Sequence, residues 1–141
     1  MTAAVEQYTR ARVLGDSTEL PSIPVALRYD PGSGPDTVRL AFSGEGGNDW
    51  TFSRALLEEG LRAPAGTGDV RVWPCGRVQT VMEFHARGDV VMIQLDSSAL
   101  LRFLRRTYDA TAQYEAVSTG TAAPTVGVTQ VAQRAVGSPR A

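Results

Sequence analysis

Lysine is absent from this chain, cysteine and histidine occur once each, and no apolar run approaches the length of a bilayer span. Each absence removes a class of function. A single cysteine, Cys75, excludes an internal disulfide. A single histidine, His85, with scattered carboxylates, supplies none of the short-spaced ligand sets that zinc or iron sites draw on, so no metal or other cofactor is expected. Without roughly 20 consecutive apolar residues no helix can span a membrane. The start Met1-Thr2-Ala3-Ala4-Val5-Glu6 lacks the basic and apolar regions of a secretory signal, which makes the cytoplasm the expected location. An excess of charge of either sign is missing too. A formal net charge of -1 gives no strong field for nucleic acid or an anionic membrane, and an all-arginine basic set in a chain rich in Ala, Gly and Val is explained by coding bias before phosphate binding.

Catalytic signatures are equally scarce, and the chain reads as a non-enzyme. His85 has neither a nucleophile nor an orienting acid assigned to it by the sequence, so it reads as structural. Gly66-Thr67-Gly68-Asp69 looks superficially like a phosphate loop. It precedes a strand, however, whereas phosphate cradles open a helix whose N-terminal amides hold the anion, and the lysine of such loops is missing. A tight turn, with Asp69 capping it, accounts for the motif. Cys75 reads as a small apolar filler, with only Arg77 close in sequence to lower its pKa.

What is present is alternation. Ile23, Val25, Leu27 and Tyr29, then Val38, Leu40 and Phe42, then Val70 and Val72 recur at every second position, with Arg28, Arg39 and Arg71 on the opposite phase, which predicts half-buried strands. Turn formers at 30–36 and 44–49 separate successive strands. Val78 to Phe84 and Val90 to Leu95 are apolar on both phases and predict a central hairpin with both faces covered, deep in a sheet or at a subunit contact. Val5 to Leu14 is the weakest strand candidate, because Glu6, Arg10 and Arg12 dilute its pattern. Two helices are expected. One starts after Ser53 as N-cap and turns Leu56, Leu57 and Leu61 inward with Glu58 and Glu59 outward, ending at Gly60 as a left-handed exit before Pro64. The other starts near Asp96 or Ser97 and buries Leu100, Leu101, Phe103, Leu104 and Tyr108. Four strands and a helix followed by three strands and a helix make an α+β fold on an antiparallel sheet.

A chain of 141 residues suits one domain, placed here at 1–115. Every acidic residue falls before position 116, after which Ala, Gly, Thr, Val, Ser and Pro dominate with only Arg134 and Arg140 charged, so 116–141 is expected to be a flexible tail. A helix over Thr129 to Val136 would be marginal in water at that length.

Three blocks occur in order: Ile23-Pro24-Val25-Ala26-Leu27-Arg28-Tyr29-Asp30, then Leu56 through Pro74, then Phe103-Leu104-Arg105-Arg106-Thr107. With the Trp50-Thr51-Phe52-Ser53-Arg54 step into the first helix, they resemble the SsgA-like sporulation and cell-division proteins of filamentous actinobacteria. The resemblance implies a curved, Whirly-like sheet assembly associated as a homotrimer. It also implies a non-catalytic adaptor role in sporulation-specific division, with the tubulin-like protein FtsZ or another SsgA-like protein as partner at the future septum. The chain departs from the family after the Arg-Thr block, where better-known members carry a Pro-Gly turn and an acidic, helical C-terminus. If the resemblance holds, Arg62, Asp69 and Arg71 around the glycine loop are candidates for a partner surface, although a solvated turn explains them equally well.

The alternative is a single-stranded nucleic-acid binder, in which Tyr29, Trp50 and Trp73 would stack on bases while Arg28, Arg39 and Arg71 follow the phosphates. Alternation instead directs those aromatics into the core or a subunit contact, and residues 1–115 are net acidic.

Overall fold

The computed structural model describes residues 4–15, 21–42, 49–86 and 88–122. Seven strands and two helices follow one another as β1 (Val5–Leu14), β2 (Ser22–Tyr29), β3 (Thr37–Phe42), β4 (Asp49–Ser53), α1 (Arg54–Gly60), β5 (Val70–Cys75), β6 (Gln79–Ala86), β7 (Asp89–Asp96) and α2 (Ser97–Ala122). This is the expected order of elements, on a single antiparallel sheet with strand order β4-β3-β2-β1-β7-β6-β5.

The weakest strand candidate turns out to be the central one. β1 pairs with β2 over most of its length, and at its C-terminal end with β7, where Val13 stands opposite Ile93. It therefore joins the β1–β4 meander to the β5–β7 meander. Its odd-numbered residues point inward, including the fully buried Ala11 and the 8 % exposed Gln7, while Glu6, Arg10 and Arg12 lie on the other, solvated face.

The sheet curls strongly. Phe84 on β6 is separated from β4 by four intervening strands, yet its ring centroid lies 5.0 Å from that of Trp50 and 6.4 Å from that of Phe52 on β4, and 5.9 Å from that of Phe42 on β3. Only a sheet bent back on itself brings those strands together around one aromatic cluster. The amphipathic α2 fills the rest of the concave face with Leu100, Phe103 and Leu104. The glutamine on β1 is satisfied there, since Gln7 Nε2 donates to the Ala99 carbonyl at 2.9 Å.

Local rules place α1. The Ser53 hydroxyl accepts the Leu56 amide hydrogen at 3.0 Å, as the N-cap reading expects. Gly60 differs from expectation: it is the last helical residue, not a left-handed exit, and Leu61 caps the helix in a right-handed conformation. Of the loop glycines, Gly66 takes a positive φ of 100° and Gly68 does not. Ala65 then exchanges both backbone hydrogen bonds with Val72, at 2.9 and 3.0 Å, so the loop covers the outer edge of β5.

Several burial expectations need correction. On α2, Leu101 is 50 % and Tyr108 44 % exposed, because both sit on the flank of the helix instead of its sheet-facing stripe. The β6–β7 hairpin is covered on both faces only along its middle, where Val81 is 3 % and Met82 0 % exposed; near its turn Val90 is 52 % and Val91 37 % exposed, and Val78, just before β6, is 67 % exposed. Cys75 is exposed, being on the outer phase at the end of an edge strand, and is not a core filler. α2 continues through the boundary read at residue 115 to Ala122; the expected helix over Thr129 to Val136 and the rest of the tail lie outside the described residues, as does most of the turn at 44–49.

Candidate partner surface

The curled sheet has a concave face that is filled and a convex face that is open. Strand register assigns each side chain to one or the other. Tyr29 and Trp50 point inward, where Tyr29 is 3 % exposed and Trp50 packs on Phe84, while Arg28 and Arg39 point outward. Stacking platforms and phosphate-tracking arginines proposed from the sequence thus lie on opposite faces of the same strands. Trp73 alone among the three aromatics shares the arginine face, beside Val81.

The sequence-derived surface residues are all exposed. Arg62 follows α1, Asp69 precedes β5, and Arg71 sits on the convex face of β5 opposite Glu83. Their side chains form no hydrogen bond or ion pair with the described residues; Asp69 acts through its carbonyl, which accepts from the His85 amide at 2.8 Å and ties the loop to β6. His85 Nε2 lies 3.2 Å from Glu83 Oε1 without hydrogen-bonding geometry. None of the three lines the concavity around Arg28 and Arg39.

That concavity lies elsewhere on the convex face. It encloses about 610 Å³ over the ends of β1 to β4, around Glu6, Arg28, Arg39 and Thr51. Those four residues form a row across four strands, Glu6 opposite Arg28, Arg28 opposite Arg39, and Arg39 opposite Thr51. Arg28 Nε donates to Glu6 Oε2 at 2.8 Å, and this bond holds the Glu6 carboxyl below its ordinary value and raises the Arg28 guanidinium. The arginine alternation made Arg28 and Arg39 visible in the sequence; Glu6 was not, because only strand pairing brings it to them.

A second polar cluster joins the two helices. Arg54, the first residue of α1, donates to the Tyr29 hydroxyl at 3.1 Å and to Thr111 Oγ1 at 3.0 Å, and its guanidinium lies 4.0 Å from the Tyr108 ring centroid. Tyr108 in turn donates to Glu58 Oε1 at 2.5 Å, which pushes the phenol up from its ordinary value. The Tyr29 hydroxyl also donates to the Pro35 carbonyl at 2.8 Å, so β2, α1, α2 and the β2–β3 turn meet at one point. The arrangement ties the two helices to the sheet. Among the described residues no group of three or more His, Cys, Asp or Glu side chains is arranged to hold a metal ion, and no helix is long and apolar enough to cross a membrane.

Comparison with known proteins gives this geometry its relatives. The family model described as the Streptomyces sporulation and cell division protein SsgA matches residues 23–115. The sporulation-specific cell division protein SsgB of Salinispora tropica is 42 % identical over 120 residues, covering 74 % of this chain and 77 % of the relative. The protein of the same name from Streptomyces coelicolor is 37 % identical over 111 residues, covering 75 % and 79 %. A solved structure from work linking SsgB mutations to longitudinal cell division during sporulation of Streptomyces coelicolor aligns with a TM-score of 0.70 at 32 % identity, over 78 % of this chain and 90 % of the other. An SsgA-like sporulation-specific cell division protein from Thermobifida fusca aligns with the same TM-score at 22 % identity, which speaks to the fold alone. The chain belongs to the SsgA family.

Proposed function

With SsgA-family membership as the premise, we propose that this protein works without catalysis, as an adaptor that helps position the division machinery, or the associated cell-wall machinery, during sporulation-specific septation. The observation that carries the reading is the family match, which runs from β2 into α2 and so takes in most of the folded body. Relatives at 37–42 % identity are named as sporulation-specific cell division proteins, and that name denotes no enzyme class. An open convex face with a cleft suits binding by surface complementarity.

In this reading the protein is cytoplasmic and is recruited to the septum by FtsZ or by another SsgA-like protein. It self-associates as a homotrimer of Whirly-like subunits. The exposed loop residues Arg62, Asp69 and Arg71 remain part of the proposed partner surface.

Light scattering with and without purified FtsZ, repeated with a fluorescent single-stranded oligonucleotide at low and moderate salt, tests the reading. A trimer whose mass shifts only with FtsZ is the expected result. Oligonucleotide binding that weakens steeply with salt, with no shift on adding FtsZ, would replace the adaptor by a nucleic-acid binder.

A further inference from the structure

The row Glu6–Arg28–Arg39–Thr51 contains an electrostatic imbalance. Two guanidinium side chains stand directly opposite each other on adjacent strands and the same face, an arrangement that costs stability when nothing lies between them. Arg28 is neutralised by Glu6 at 2.8 Å. Arg39 is exposed and has no ion pair or hydrogen bond among the described residues. The other carboxylate at the rim is committed locally, since Asp30 Oδ1 accepts from the Gly32 amide at 2.9 Å. Arg39 is thus a cation with an unmet partner, and it lines a cavity of about 610 Å³ together with Ser33, Thr37 and Thr51.

We propose that this cleft binds a carboxylate side chain of an acidic protein segment, which Arg39 grips as Arg28 grips Glu6. The internal pair shows the geometry in miniature: one guanidinium, one carboxylate, on neighbouring strands of the convex face. A carboxylate fits better than a nucleic-acid backbone, because the aromatic groups that would stack its bases, Tyr29 and Trp50, are on the opposite face of the sheet. The guanidinium fork suits a planar carboxylate, and the surrounding hydroxyls supply further donors. The proposal gives the partner contact of the adaptor reading a chemistry, and rests on that reading only for which protein carries the acidic segment.

The test is a fluorescence-anisotropy titration of the full chain with a labelled hexaglutamate peptide, an oligolysine of equal length and a short oligothymidylate. Hexaglutamate should bind, oligolysine should not, and Arg39→Ala should weaken hexaglutamate binding about tenfold or more, the scale of one charge-assisted hydrogen bond. Glu6→Gln, which releases Arg28, should strengthen it. Because Arg39 is exposed and faces a like charge, its replacement should leave the urea midpoint unchanged or raised, so weakened binding is separable from unfolding. Equal hexaglutamate affinity in parent and Arg39→Ala overturns the site, as does tighter binding of oligothymidylate than of hexaglutamate. A parallel FtsZ pull-down with parent protein judges the adaptor reading separately: its failure, with hexaglutamate binding intact, removes the division partner and leaves the carboxylate site standing.

Discussion

Gly60 at the end of α1 and Val72 on β5 approach so closely that a methyl group at position 60 would fall 2.3 Å from both Cβ and Cγ1 of Val72. The helix lies flat on the strand because residue 60 has no side chain. Rotating Val72 cannot relieve the clash, since its Cβ is fixed to the backbone. Gly60→Ala should therefore destabilise the protein by about 1 to 3 kcal/mol through overpacking, read from urea unfolding. Adding Val72→Ala should not restore stability, because the clashing Cβ remains. Gly68→Ala, where a new Cβ meets no atom within 4 Å, is the control and should change stability by about 0.5 kcal/mol or less. Rescue by Val72→Ala would mean that the contact is softer than the geometry shows.

The same pair marks the boundary of what the sequence discloses. A glycine at a helix end reads as a left-handed exit, and nothing local distinguishes that role from a close tertiary approach. β1 hid for a similar reason. Its inward positions carry Gln7, Thr9 and Ala11 in place of large apolar groups, so its pattern is faint, yet these suit a central strand under α2, where Gln7 bonds the helix backbone. The β6–β7 hairpin misled in part: valines on both phases look like two covered faces, and Val81 and Met82 are indeed both buried in its middle, but near the turn Val90 and Val91 are open to solvent. Element order, the Ser53 cap and the arginine phase were legible because each depends on neighbours in sequence. The Glu6–Arg28–Arg39–Thr51 row and the Arg54 cluster were not, because they assemble from strands and helices distant in the chain.

Leu104 and Leu101 are three positions apart on α2 and should behave oppositely. Leu104 is 5 % exposed within the core and Leu101 is 50 % exposed on the flank. Leu104→Ala should cost about 2 to 5 kcal/mol by leaving a cavity, while Leu101→Ala should cost about 0.5 kcal/mol or less. Equal losses in thermal or urea unfolding would show that something covers the flank in solution.

Arg54 holds its position through hydroxyls and aromatic rings, with no carboxylate within ion-pair distance among the described residues. Arg54→Met should cost about 1 to 3 kcal/mol, the range for hydrogen bonds to a charged group. Arg54→Lys should recover part of the loss, because the Tyr29 and Thr111 hydroxyls are both bound by a single guanidinium nitrogen and an ammonium can donate to both, whereas the planar stacking on the Tyr108 ring is lost. The deficit should change little between low and moderate salt in urea titrations, unlike that of an exposed ion pair. A strong salt dependence would reveal an acidic partner for this guanidinium.

Tyr108 makes the alkaline limb of stability testable. Its hydroxyl donates to Glu58, and ionising it would set a phenolate against a carboxylate, so the folded protein holds this proton above the phenol's ordinary value of 10.0, through the Glu58 bond first and burial second. A raised folded value means that the contribution is complete below the unfolded value and is lost as pH climbs through the folded one. Between neutral pH and about pH 10 the parent and Tyr108→Phe should therefore keep a constant stability difference, and above about pH 10 that difference should shrink. With Tyr108 44 % exposed, solvent screening keeps the change small, so matched urea titrations across pH are the measurement of choice. Glu58→Gln should move the ultraviolet titration of Tyr108 back towards 10.0. Parallel pH profiles for parent and Tyr108→Phe, or an unshifted titration in Glu58→Gln, would show that the Tyr108–Glu58 bond does not persist in solution.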